Sequence, residues 1–168
     1  MKFNFYAFKA IYLHEMDRFR RTLMQSLFSP VLSTSLYFIV FGSVIGGYVE
    51  NIDGISYGSY IVPGLLMLTL LTQSISNTSF GIFFPKFNGT IYEILAAPIS
   101  TFEIVFAFVG AGATKTLIVG IVIFITSTFF VEVEVMYPLL MIFLLVLVAF
   151  TFALFGFLIG LMSSNFEQ

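Results

Sequence analysis

Cysteine and tryptophan are absent from this 168-residue chain, histidine occurs once, and charged residues make up only 10% of it. Without cysteine there is no disulfide framework, no thiolate metal site and no cysteine nucleophile. An ordinary soluble domain is about 25% charged, so this chain has too little charge to coat a water-soluble globule. No H-E-x-x-H, no G-x-S-x-G and no carboxylate cluster inside an apolar segment occurs. Metalloprotease, serine-hydrolase and proton-relay chemistries therefore have no visible basis. No metal, no cofactor and no nucleic-acid partner is expected.

What the chain has is apolar length. Hydrophobic residues reach 59%, with 23 Phe that serve as lipid-facing and core-filling bulk. Residues 22–49, 54–85 and 135–166 carry no charge, and a fourth apolar run, Ile104 to Val131, is interrupted only by Lys115. Each exceeds the ~20 residues that carry a helix across a bilayer core of ~30 Å. The pattern predicts an all-α, polytopic integral membrane helical bundle with four spans, at about 27–48, 58–84, 104–130 and 138–162.

Residues 1–26 carry too much charge, and the run Leu27–Tyr48 is too long, for a cleavable signal peptide. Phe5, Phe8, Tyr12, Met16, Phe19 and Leu23 recur at spacings of three and four, with His14, Asp17, Arg18 and Arg21 on the other side. This predicts an amphipathic helix over 1–26 lying in the membrane interface; packing on a partner's core is the alternative. Lys2, Lys9, Arg18, Arg20, Arg21 and Lys86 fall on one side of the membrane under this span assignment, and Glu50, Asp53, Glu132 and Glu134 on the other. The positive-inside rule then makes the N-terminus and residues 85–103 cytoplasmic. The chain stops at Gln168, a few residues after the fourth span, which reads as a truncation.

The connection 85–103 is strongly punctuated. Asn88-Gly89 is a turn signal. Thr90-x-x-Glu93 and Ser100-x-x-Glu103 both have capping-box spacing, and Pro98 ends what lies between them. Ile91, Ile94, Leu95 and Pro98 share one expected apolar face. The segment is either a re-entry loop on the headgroups or a rigid docking helix for a cytoplasmic partner.

Several features together resemble the permease subunits of ABC-2 type transporters. They are Tyr60-x-x-Pro63-Gly64, the polar run Gln73-Ser-Ile-Ser-Asn77, the pattern Lys86-x-x-Gly89-Thr90-x-x-Glu93-x-Leu95-x-x-Pro98-x-Ser100, and Gly110-x-Gly112. The likeness extends over nearly the whole chain, most closely to the branch that exports drugs, polysaccharides and related amphipathic molecules. It implies that 27–168 is a permease domain and that 86–100 is a coupling helix docking into a separate ATPase subunit. On that helix Gly89, Thr90, Glu93, Leu95 and Pro98 would make the contacts. It also implies a second permease copy, as homodimer or heterodimer, in a cell inner (plasma) membrane. Such permeases have about six spans, so four are an incomplete set.

Gly110-Ala-Gly-Ala-Thr-Lys115-Thr116 is not a phosphate loop, because Val109 and Thr114 stand where that motif needs glycine. Any ATP hydrolysis must therefore come from a partner, and no enzymatic activity is expected of this chain. Lys115, the one cation within a span, either pairs with Gln73 or a carboxylate, or meets an anionic substrate. Gln73, Ser76 and Asn77 are costly facing lipid, so they line a pathway or bond between helices. Gly42-x-x-x-Gly46 and Gly156-x-x-x-Gly160 have the spacing of close helix packing. The function expected is a transmembrane permease subunit of an ATP-driven exporter; the alternative is a membrane scaffold or assembly subunit that transports nothing.

Overall fold

A computed structural model of the chain describes residues 4–45, 51–52 and 54–164. Helix α1 spans Phe5–Arg21 and α2 spans Leu23–Tyr37, continuing as a π-helical stretch over Phe38–Ile45. Two-residue strands β1 (Asn51–Ile52) and β2 (Ile55–Ser56) pair antiparallel, and then come α3 (Tyr57–Phe87), α4 (Ile91–Ala96), α5 (Thr101–Thr128) and α6 (Pro138–Met162). Four helices are long and apolar enough to cross a membrane: Leu23–Phe41, Tyr57–Phe87, Thr101–Thr128 and Pro138–Met162. The chain is an all-α polytopic membrane protein. Part of the expected first span, Gly46 of the first glycine pair, and the tail after Ser164 lie outside the described residues.

The first membrane helix starts at Leu23, earlier than the apolar run alone indicates, because Thr22 is only a one-residue break. Its N–H donates to the carbonyls of Arg18 and Phe19, and its own carbonyl accepts from Ser26 at 2.9 Å. The hydrogen-bonded spiral thus passes from α1 into α2 almost without interruption.

Helix α5 is the axis of the bundle. It is apolar all round, the pattern of a helix with neighbours on several sides, and Ala107, Val109, Ala111, Ala113 and Val119 are buried along it. Helix α3 runs antiparallel beside it, with Gly112 facing Thr78 and Gly120 facing Leu70. Helix α6 runs parallel to α3 and meets it through glycines. A Cβ on Gly156 would come within 2.5 Å of the Ile75 carbonyl oxygen, and one on Gly160 within 2.5 Å of that of Ser79. The second glycine pair of the sequence is therefore a true contact face, where missing side chains let two backbones touch.

Helix α1 also packs lengthwise on α5. The Asn4 backbone N–H donates to Glu103 Oε1 at one end, Tyr12 Oη donates to Thr114 Oγ1 at 3.0 Å midway, and Phe19 joins Val119 and Ile123 in one apolar cluster. The expected face is largely the one turned inward, with Phe8, Tyr12, Met16 and Phe19 at least partly buried, but its edges differ. Phe5 is exposed, Glu15 and Phe19 are buried, and Arg18 turns inward while His14, Asp17 and Arg21 stay outside. Arg18 turns inward because it pairs with the buried Glu15 at 2.8 Å, whereas His14 only approaches that carboxylate, at 4.0 Å, and stays exposed.

Residues 129–137, with Glu132 and Glu134, form a loop without helix or strand. Ser59 Oγ donates to the Glu132 carbonyl at 2.7 Å, which ties this loop to the start of α3.

Candidate functional site

Two places gather the chemistry-bearing residues: the elbow around α4 and a polar cleft beside α1.

At the elbow, α3 ends at Phe87, Asn88 caps it, and Gly89 takes φ +77°. That left-handed backbone is one glycine adopts without a Cβ penalty, and it reverses the chain into α4. The expected Thr90–Glu93 capping box does not form. Thr90 already has helical dihedrals (φ −63°, ψ −18°) and makes no side-chain cap bond. A capping side chain reaches the N2 or N3 N–H from extended backbone, which the turn at Gly89 denies it. The second box does form: Glu103 N–H donates to Ser100 Oγ at 3.3 Å, and Ser100 N–H donates to Glu103 Oε2 at 2.7 Å. Glu103 thus receives N–H groups from both Ser100 and Asn4, joining the start of α5 to the start of α1. Ala97 before Pro98 is extended (ψ 150°), which ends α4.

The expected apolar face of α4 is divided. Ile91 and Ile94 pack against the core cluster around Ile82, Ile104 and Phe108, whereas Leu95 and Pro98 point outward with Thr90, Tyr92 and Glu93. Gly89 is half-buried behind them. At six residues α4 is under two turns, so its inner isoleucines hold it on the bundle while its outer side stays open. Nearby, Lys86 Nζ donates to the carbonyls of Leu161 and Ser163, both at 2.7 Å, and so closes the C-terminal end of α6.

In the cleft, Lys115 is buried and its Nζ donates to Glu15 Oε2 at 2.7 Å. Arg18 approaches the same oxygen at 2.8 Å through one terminal nitrogen. Glu15 sits between α5 and the bare backbone of α3, since a Cβ on Gly81 would lie 3.4 Å from Oε2. Its other oxygen, Oε1, has no hydrogen-bond partner among the described residues; His14 Nδ1 is 4.0 Å away. Two cations on one carboxylate leave the trio with a net positive charge. Gln73 does not pair with Lys115; it accepts from Asn77 Nδ2 at 3.4 Å on its own helix. A cavity of about 350 Å³ lies over the trio, lined by Arg18, Phe19, Thr22, Ser26, Ser76, Asn77, Phe80, Phe84 and Lys115. The structure thus brings Ser76, Asn77 and Lys115 to one cavity; Gln73 reaches it only through Asn77.

Glu15 is the residue that sequence reasoning missed. It stands three residues after Tyr12 and four before Phe19, inside the aromatic stripe. A carboxylate at such a position signals a buried partner, because alone it would be too costly to bury. Among the described residues, no group of three or more metal-ligating side chains comes together.

The sequence profile described as "ABC-2 type transporter" matches residues 6–168. The chain belongs to the ABC-2 type transporter family. Over 162 residues it is 38% identical to the inner membrane transport permease YadH of Escherichia coli K12, covering 96% of this chain and 63% of that protein. Proteins of the same name from Escherichia coli O157:H7 and Shigella flexneri match to the same extent. The chain thus spans about 63% of the length of the curated relatives it matches. No solved structure matches it significantly. For an ABC-2 family member, the elbow is an exposed, anchored surface element and the cleft is a charged recess within the helical bundle.

Proposed function

We propose that this chain supplies part of the membrane-spanning subunit of an ATP-driven exporter in the inner membrane, and that α4 is its lever. The reading rests on family membership over residues 6–168 together with the division of α4 into an anchored inner side and an open outer side. A separate cytoplasmic ATPase subunit, the source of hydrolysis, docks on Gly89, Thr90, Glu93, Leu95 and Pro98. The two acidic connections face outward, and the N-terminus and α4 face the cytoplasm. The first helix starts at the membrane boundary, where Asn4 meets Glu103, and runs along α5 with its charged side turned away from it. A second permease copy completes the assembly. Movement of α4 is passed to α3 and α5, the two helices it joins, and opens the recess lined by Ser76, Asn77 and Lys115, with Gln73 behind it, to alternate sides.

The test is Glu93→Ala in the complete subunit, reconstituted in vesicles with its ATPase. ATP hydrolysis continues while transport falls at least tenfold, and the subunit inserts normally. Unchanged coupled transport counts against the reading.

A further inference from the structure

Helix α1 carries exposed charges at a depth where its neighbour α5 crosses the bilayer. We propose that its outward face walls a water-filled, electropositive inlet leading to Ser76 and Asn77, and that the solute drawn in carries a negative charge. The proposal deepens the functional reading and takes two things from it: the cytoplasmic side of α4 and the recess as the pathway.

Depth is the first observation. Helix α1 starts where Asn4 meets Glu103, at the head of α5, and runs along α5. Tyr12 meets Thr114 and Glu15 meets Lys115, so this part of α1 is level with the middle of Thr101–Thr128, a helix of membrane-crossing length. His14 and Asp17 are exposed there, with Lys9 exposed before them and Arg20 and Arg21 after them. Charged side chains at such depth face a protein interior or a water-filled space, not hydrocarbon. Lys9, Asp17 and Arg20 form no ion pair among the described residues, so a protein surface laid over them would strand several charges. Water satisfies all of them at once. The second observation is continuity. Arg18 stands at the edge of this face, and its guanidinium both meets Glu15 and lines the recess of about 350 Å³ together with Thr22, Ser26, Ser76 and Asn77. The charged face and the recess thus share a side chain. Third, the opposite side of the bundle is different. Every exposed residue of α6 from Leu139 to Met162 is apolar except Thr151, which is the surface that suits lipid. Fourth, the charges are mostly of one sign. Lys9, Arg18, Arg20, Arg21 and Lys115 stand against Glu15 and Asp17. A cleft of that sign with low-dielectric walls concentrates anions.

The chain has no cysteine, so single thiols can be placed in it. The full chain is produced in a bacterial inner membrane, and inside-out vesicles present its cytoplasmic side to membrane-impermeant methanethiosulfonates. A Cβ on Gly110 would lie 4.0 Å from the Tyr12 ring, so Tyr12→Cys and Gly110→Cys are first joined by a short bifunctional methanethiosulfonate, which holds α1 on α5. Leu13 on α1 and Leu147 on α6 are equally open apolar sites, 47% and 50% exposed. In the cross-linked chain Leu13→Cys reacts at least tenfold faster than Leu147→Cys does in its own single-thiol chain. At Ser76→Cys, without the cross-link, the anionic sulfonatoethyl reagent outpaces the cationic trimethylammonioethyl reagent at least tenfold, each rate taken relative to a free thiol. Arg20→Gln with Arg21→Gln lowers that preference at least threefold, while the rate with an uncharged methyl reagent and the melting temperature stay unchanged. Leu13→Cys as slow as Leu147→Cys means that lipid or protein covers α1, and overturns the proposal. Failure of the Tyr12→Cys and Gly110→Cys pair to join overturns it too, as does equal reaction of Ser76→Cys with both charged reagents. Glu93→Cys checks the functional reading in the same vesicles and labels from the same side. Labelling of Glu93→Cys from the opposite side overturns that reading and this proposal together. Normal labelling there with a slow Leu13→Cys overturns this proposal alone.

Discussion

Glu15 and Lys115 stand 100 positions apart in sequence and meet at 2.7 Å inside the bundle, where both are almost fully shielded from solvent. The contact fastens the N-terminal helix to the central one. Removing one member of a buried pair strands the other charge, at a cost of roughly 3–5 kcal/mol. Lys115→Met is therefore expected to destabilise the folded chain by that order, and Glu15→Ala by more, since Glu15 serves two cations. The double variant Glu15→Ala with Lys115→Met is expected to lose less than the two single losses added together. Unfolding in detergent, arranged as a double-mutant cycle, measures the coupling; additive losses would show that the two residues act independently.

The glycine face of α6 gives a second expectation. A leucine at Gly160 would drive its side chain into the Ser79 backbone, and one at Gly156 into that of Ile75. Neither backbone can step aside as a rotamer can, so the penalty exceeds the ~1–3 kcal/mol of ordinary overpacking. Gly160→Leu should abolish the folded state and Gly160→Ala should weaken it. Leucine on the exposed face, at Thr151, should be tolerated. Protease resistance after membrane insertion ranks the three.

The turn into α4 depends on Gly89, whose φ of +77° has open space around its Cα. Gly89→Ala meets no steric clash, only the cost of the left-handed backbone, about 1–2 kcal/mol. If α4 is the docking element, this change weakens ATPase association more than it lowers the melting temperature. A pull-down of the ATPase beside a thermal scan separates the two effects.

The two capping signatures in the α4 region should respond in opposite ways. Ser100→Ala removes a cap that is made and costs ~0.5–2 kcal/mol. Thr90→Ala removes no cap bond and should leave stability within ~0.5 kcal/mol. Equal losses in chemical denaturation would contradict the backbone geometry at Thr90.

The spans were legible because uncharged runs of bilayer length have few alternative structures. The placement of α4 was legible from Asn88-Gly89 and Pro98, which act through local backbone preference. The Thr90 box was misleading for a related reason: spacing records which side chains could cap, while dihedral angles decide which do. Leu95 and Pro98 were assigned with Ile91 and Ile94 because six residues are too few for a periodicity to locate its own buried side. Glu15 was hidden by distance. Its position in the aromatic stripe marked it as unusual, but nothing local could name a partner 100 residues away. The inward turn of Arg18 follows from that same contact.

Lys86 has a consequence of its own. It belongs to the foot of α3, immediately before the elbow, and its ammonium grips the last carbonyls of α6. The two parallel rods are thereby yoked at one end, and the glycine seam keeps them flush above it. A displacement that moves the foot of α3 is thus expected to carry α6 along with it.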